Sequence, residues 1–171
     1  MSQTVDIFGP ERAALYQLPF ELDIDKWNTI SEEVKSAVSS GWKSIKYLND
    51  DGTAINDDIK KLPNNRGGIY IFLLKPDKIP LMHRYIMYIG RARRANSFSL
   101  RKRCSTYFTD TRPKVYRMIK RWGSELYLYY LPINDSDDFI KKVERELLRV
   151  IIPPCNSDIP DHYVMPDEDL F

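Results

Sequence analysis

Gly68-Ile69-Tyr70-Ile71-Phe72-Leu73-Leu74 is the stretch whose reading decides the fold of this chain. A continuous apolar run rich in β-branched and aromatic residues predicts a buried strand. Eighteen residues after Tyr70 comes Tyr88, in the run Arg84-Tyr85-Ile86-Met87-Tyr88-Ile89-Gly90. This run predicts a second strand, and the turn-prone Lys75-Pro76-Asp77-Lys78 between them makes an antiparallel pair the expectation.

Downstream of the pair, residues 99–108 and 113–122 each predict a helix, with Asp110 or Thr111 as a cap between them and Gly123 as a stop. Residues 125–131 predict a third strand. Ser136 opens a longer helix, running to about Ile151, whose apolar positions Phe139, Ile140, Val143, Leu147, Leu148 and Ile151 form one stripe. Pro153-Pro154 must end it. The order β, β, α, α, β, α implies an α+β fold: a three-stranded antiparallel sheet flanked by helices.

Upstream, residues 1–25 carry scattered prolines and short apolar clusters and predict an irregular arm. Thr29-Ile30-Ser31-Glu32 has the form of a capping box, with Ile30, Val34, Ala37 and Val38 on one helical face behind it and Gly41 closing the element. Residues 42–48 read as a short strand of ambiguous period, closed by Asn49-Asp50-Asp51-Gly52. Residues 55–62 read as a helical turn or two. The expected organisation is an N-terminal helical and irregular elaboration over 1–65, a core over 66–158 and an acidic tail over 159–171.

A chain of 171 residues suits one domain with an appendage, and 43% apolar residues suit a folded one. No apolar run approaches the roughly 20 residues that span a bilayer, so no membrane partner is expected. The first residues lack a secretory-signal pattern. Cys104 and Cys155 make no disulfide framework and read as inert packing residues, and the two histidines, His83 and His162, are too few for a zinc site. Cytoplasm is the simplest expected location.

The net charge of +2 conceals a partition. Residues 1–65 hold 7 Lys and Arg against 11 Asp and Glu, residues 66–121 hold 15 against 2, and residues 122–171 hold 4 against 11. A central block of net charge +13 points to a polyanion bound through its phosphates. Solvated lysine decoration is the bland alternative, but ten of the fifteen are Arg, whose planar fork suits bidentate phosphate contacts. Arg91, Arg93, Arg94, Arg101, Lys102, Lys114, Arg117, Lys120 and Arg121 are the candidate nucleic-acid contacts.

Phosphodiester hydrolysis needs a deprotonated water, positive charge on the nonbridging oxygens and help for the leaving oxygen. The basic block supplies cations, but its only acids are Asp77 and Asp110, both in expected turns. The next carboxylates are Glu144 and Glu146 on the last helix. Residues two apart on a helix point about 200° apart. Glu144 borders the apolar stripe and is the better ligand candidate. Glu146, beside Lys142 and Arg149, reads as a solvent-facing ion-pair partner.

Gly68-Ile69-Tyr70 and Tyr88-Ile89-Gly90 resemble the two name-giving motifs of the GIY-YIG nuclease family. Ser99-Leu100-Arg101-Lys102-Arg103-Cys104-Ser105-Thr106-Tyr107-Phe108 resembles its first helix, which puts the family Arg on Arg103 and its aromatic partner on Tyr107. Trp122-Gly123 before a strand fits the same order. Glu144, followed twelve residues on by Asn156, resembles the closing motif and agrees with the helix-face choice over Glu146. The resemblance spans about residues 66–158.

It implies a GIY-YIG nuclease-like core and a Mg²⁺-dependent DNA endonuclease, with Mn²⁺ able to substitute, leaving 5′-phosphate and 3′-hydroxyl ends. Glu144 would be the metal ligand and Tyr70 would help deprotonate the attacking water. Arg103 would neutralise the scissile phosphate, Tyr88 and Tyr107 would orient it, and Asn156 would position backbone near the site. A free phenol has a pKa of about 10, so the surrounding cations are expected to favour ionised Tyr70. Arg91 stands where several relatives carry Lys and cannot act as a base. Residues 93–98 look like an insertion that contacts DNA. A compact standalone chain resembles the restriction branch, suggesting a restriction or defence role, and cutting both strands would call for a homodimer. Residues 1–65 could bind DNA, a protein partner or a regulator. The competing readings are a nucleic-acid-binding module that has kept the fold and lost catalysis, and a nuclease directed to single strands or RNA.

Overall fold

In the computed structural model, which describes residues 21–22, 24–94 and 98–161, successive residues of Gly68–Leu74 face opposite sides of a sheet and meet different cores. In chain order the elements are β1 (Glu21–Leu22), α1 (Ile24–Asn28), α2 (Glu32–Val38), β2 (Lys43–Lys46), β3 (Gly68–Leu74) and β4 (Tyr85–Ala92). They continue with α3 (Leu100–Ser105), α4 (Pro113–Trp122), β5 (Leu126–Pro132), α5 (Asp137–Val150) and β6 (Ile151–Ile152). Short 3₁₀ turns occupy Asp57–Lys61, Thr106–Thr109 and Gly123–Glu125. The fold is α+β. No helix among the described residues is long and apolar enough to cross a membrane.

The main sheet has four strands in the order β2-β5-β3-β4, all antiparallel, where three were expected. The addition is β2, from the segment whose period was ambiguous. Ile45 and Tyr47 point into one core, while Trp42 packs on the other and donates its indole N–H to Val38 O at 2.9 Å. A segment that serves two cores cannot show a clean alternation.

One core lies between the sheet and α3 and α4. It takes Tyr70 and Phe72 from β3, Met87 and Tyr88 from β4, Leu126, Leu128 and Tyr130 from β5, and Cys104, Tyr107, Val115 and Met118 from the helices. The opposite core takes Ile69, Ile89 and Leu131 against Ile140, Val143, Leu147 and Leu148 of α5, with Ile30 and Val34 from the α2 region. Both cysteines are buried and unbridged. Burial pushes the Cys104 thiol up and the Cys155 thiol up to about 12, so neither is a nucleophile at neutral pH.

The segment before residue 66 is built into this framework. The Tyr47 hydroxyl donates to Cys104 O at 2.9 Å, and Pro63 O and Arg66 O accept the N–H groups of Arg101 and Leu100. Those two bonds satisfy donors that the first turn of α3 would otherwise leave open. β1 pairs with β6, Glu21 opposite Ile152. Most of the expected irregular arm, and residues 162–171 of the expected tail, lie outside the described residues, as do residues 95–97 of the expected insertion.

Two local expectations need correction. The N-cap of α2 is Ser31, two residues after the Thr29 that a capping box would use, and the Ser31 side chain makes no cap bond of its own. Its hydroxyl and N–H instead donate to the Glu146 carboxylate at 2.9–3.1 Å. Glu146 is therefore a tether between α5 and α2 with 17% of its side chain exposed, and not solvent-facing, although the expected helix ion pair with Lys142 is present at 3.8 Å.

Candidate active site

Tyr70 and Gly90 sit opposite each other in the β3–β4 ladder, and their fit is set by the glycine. A Cβ at position 90 would lie 2.5 Å from the Tyr70 hydroxyl and 2.6 Å from Cζ, so any larger residue would displace the ring. A Cβ on Gly68, whose φ is +149°, would lie 2.1 Å from Leu131 O. The two glycines are what let β3 sit close to β5 while Tyr70 lies across β4.

The Tyr70 ring is 1% exposed, and its hydroxyl meets the Tyr107 hydroxyl at 2.6 Å. Tyr88 stacks on Tyr70 with ring centroids 6.5 Å apart and lies 5.4 Å from Tyr107. The Arg103 guanidinium stands 5.1 Å from the Tyr107 ring centroid. Burial pushes the Tyr70 hydroxyl well above its ordinary range, and the nearby Tyr107 adds to the shift, while Arg103 opposes it without winning. Tyr107 is likewise raised, chiefly by burial. The cations therefore do not ionise Tyr70 in this form; desolvation dominates and both phenols are neutral.

Beside the tyrosines is a cleft of about 480 Å³ lined by Tyr70, Tyr88, Arg91, Arg93, Phe98, Arg103 and Glu144, among others. Glu144 reaches it from α5 and accepts a hydrogen bond from Arg91 Nε at 2.7 Å. Both side chains are about three-quarters buried. Burial raises the Glu144 carboxyl above its ordinary range, and Arg91 and Arg103 pull it back. Arg91 and Glu144 meet because residue 91 falls on the α5 side of β4, with Ile89, whereas Tyr88 and Gly90 face Tyr70.

Asn156 holds β4 from its outer edge. Its Oδ1 accepts from Ile89 N at 2.9 Å and its Nδ2 donates to Ile89 O at 2.8 Å. With Cys155 N donating to Met87 O at 3.0 Å, the chain after α5 covers part of an edge strand that lacks a neighbour on that side. Asn156 lies next to the site and does not line the cleft.

The remaining expected contacts are dispersed. Arg93 and Arg94 are exposed near the cleft mouth; Arg93 stacks over Phe98 at 6.0 Å, and Arg94 N donates to Asp137. Arg101 gives its guanidinium to Leu62 O and Lys60 O. Lys102 is exposed on another side of α3. On α4, Lys114 is 9% exposed, Arg117 and Arg121 are half-buried, and Lys120 is exposed, over Phe108 and Tyr116.

One residue of the site was not anticipated. The Arg112 guanidinium stands 5.8 Å from the Tyr88 centroid and 5.5 Å from that of Tyr107. Asp110 holds it in a fork, Nη2 to Oδ2 at 2.7 Å and Nε to Oδ1 at 3.0 Å, and also accepts Arg112 N–H at 2.9 Å. Arg112 precedes Pro113, so its backbone is kept extended, with ψ 127°, and it forms the N-cap of α4 in place of Asp110 or Thr111. An Asp two residues before an Arg-Pro step was the available signal.

Among the described residues no group of three or more His, Cys, Asp or Glu could hold a metal. Mg²⁺ does not need one, because it keeps several waters and uses one or two carboxylates plus substrate oxygens. Glu144, the cleft's carboxylate, fits that chemistry: a cation would offset the burial that now opposes its charge. Comparisons of the chain with protein families, curated proteins and solved structures found no match.

Proposed function

We propose that this protein is a divalent-metal-dependent DNA endonuclease of the GIY-YIG kind. The observation that carries the reading is convergence. Tyr70, Tyr88, Arg103 and Glu144, from four elements and as many as 74 positions apart, line one cleft in a strongly basic region.

Glu144 would hold the Mg²⁺, with Mn²⁺ as a substitute, after parting from Arg91. Held there, the ion would supply positive charge to the leaving 3′ oxygen. Arg103 neutralises the scissile phosphate and the released Arg91 adds a second guanidinium. Arg112, held by Asp110 outside the cleft lining, adds positive charge beside the Tyr88 and Tyr107 rings. Tyr70 is a neutral phenol, held by the Tyr107 hydroxyl at 2.6 Å, that accepts a hydrogen bond from the attacking water and positions it. The proton that this water loses leaves to solvent through the open cleft, from which the leaving 3′ oxygen is protonated. Water adds to phosphorus as the bond to the 3′ oxygen breaks, giving 5′-phosphate and 3′-hydroxyl ends. A double-strand cut needs two such sites, which a homodimer would provide, and restriction or defence is a role that suits such an activity.

The test incubates plasmid, single-stranded DNA and RNA with the protein in Mg²⁺ or in EDTA, beside Glu144→Ala. Expected is Mg²⁺-dependent DNA cleavage that falls by about a thousandfold or more in the variant, the several kcal/mol a metal supplies. Binding without Mg²⁺-dependent cleavage of any substrate identifies a binding module and overturns the enzyme reading. Cleavage confined to single strands or RNA transfers the reading to those substrates, and cleavage surviving Glu144→Ala removes Glu144 as the metal ligand.

A further inference from the structure

On another side of α3 from the cleft lies a second recess, of about 560 Å³, lined by Asn64, Asn65, Ser99, Arg101, Lys102 and Ser105. It shares no lining residue with the cleft. Ser99 is 1% exposed, and its hydroxyl has no hydrogen-bond partner among the described residues. An unpartnered buried hydroxyl costs on the order of 1–3 kcal/mol, a cost that a rotation of the Ser99 side chain toward an acceptor in the recess would relieve.

The lining fixes the kind of acceptor. It offers a hydroxyl, two exposed amides, an ammonium and part of a guanidinium, and contains no carboxylate. Arg101 Nε is already committed to Leu62 O, and the N–H groups of Leu100 and Arg101 to Arg66 O and Pro63 O, so the side chains of Ser99, Asn64, Asn65 and Lys102 must do the binding. An excess of donors and cations selects an oxyanion with several acceptor oxygens. No aromatic ring lines the recess, so it has no platform on which to stack a base.

We propose that this recess is a second phosphate site that holds a backbone phosphate of the strand lying in the cleft, an inference that rests on the nuclease reading. Ser99, the N-cap of α3, precedes Arg103 by four positions, a rise of about 6 Å, and the two sites face different sides of a helix about 10 Å across. That separation, about 12 Å, corresponds to about three or four nucleotides at about 3.4 Å of rise each along a duplex strand. The pair of sites would set the register of the strand before any chemistry occurs.

The experiment measures binding of a labelled duplex, by anisotropy in EDTA, to the Glu144→Ala protein as parent and to the same protein carrying Ser99→Ala, Lys102→Ala or Asn65→Ala. Ser99→Ala removes an unpartnered group and Asn65 is exposed, so both variants should fold. Each substitution should weaken binding by about three- to tenfold, and Lys102→Ala should reduce the salt slope by about one. A scan of single neutral methylphosphonates along the duplex should find one sensitive position, distinct from the scissile one, whose effect disappears in Ser99→Ala and Asn65→Ala. An identical scan in parent and variants overturns the proposal and leaves the nuclease reading intact. No binding of the parent to any duplex overturns both. Inorganic phosphate provides the last arm: saturation that Ser99→Ala abolishes, alongside a flat duplex scan, assigns the recess to a free anion and overturns the strand assignment.

Discussion

The two faces of the central sheet share every strand and differ in what they bury. Toward α5 the contacts are aliphatic, with Ile69, Ile89, Leu131, Val143 and Leu147 and no hydroxyl among them. Toward α3 and α4 they are aromatic and sulfur-bearing, with Tyr47, Tyr70, Tyr88, Tyr107 and Tyr130. Hydrocarbon faces gain from burial alone and demand only volume. A tyrosine-rich face must also satisfy each hydroxyl, and here the partners include another phenol and backbone carbonyls. The first face holds the molecule together, and the second also brings polar groups to the rim of a cleft. The same contrast recurs within α5, where Glu144 turns to the cleft and Glu146, two residues on, ties down α2.

This division is open to direct attack. Tyr70→Phe keeps the ring and removes the hydroxyl, so it should lower the cleavage rate by about a hundredfold or more, while costing about 1–3 kcal/mol in stability because the buried Tyr107 hydroxyl loses its partner. Single-turnover cleavage and a urea titration on one preparation measure both, and an unchanged rate would remove Tyr70 from positioning the attacking water. Ile30→Ala acts on the other face and should do the reverse, with a loss of about 2 kcal/mol or more and an unchanged rate per folded molecule.

Glu146→Gln sharpens the contrast within α5. Losing the charge on the acceptor of the Ser31 bonds should cost about 1 kcal/mol, seen as a lower urea midpoint, and leave cleavage intact. A fall in rate matching that of Glu144→Ala would mean that both carboxylates serve the cleft.

The smallest effect concerns pH. The Arg112 side chain beside Asp110 holds that carboxyl below its ordinary range. A carboxyl with a lowered folded pKa stabilises the protein fully above its unfolded value, about 3.9, and loses that stabilisation as pH falls through the lowered folded value. The stability difference between the wild-type protein and Asp110→Asn should therefore be constant above about pH 5 and shrink toward pH 3 in urea titrations. A difference that grew on acidification would mean that Arg112 does not govern Asp110.

Local order was legible in the chain because local order has a period. The run Gly68–Leu74, the stripe on α5 and the stops at Gly123 and Pro153-Pro154 announce themselves within a few residues, and the structure has those elements near the expected boundaries. Resemblance to a family's motifs picked out six site residues, of which Tyr70, Tyr88, Arg103 and Glu144 line one cleft while Tyr107 and Asn156 stand beside it. Tertiary structure decided what spacing cannot express. Only the pairing of β2 with β5 makes the sheet four-stranded, and only the approach of α2 to α5 turns Glu146 inward across 115 positions. Only burial raises the Tyr70 hydroxyl above its ordinary range against the pull of Arg103. Periodicity is a property of neighbours in the chain. Desolvation and hydrogen-bond partnership belong to neighbours in space, and a residue such as Arg112 acquires its place beside the tyrosines only when the loop after Tyr107 folds back.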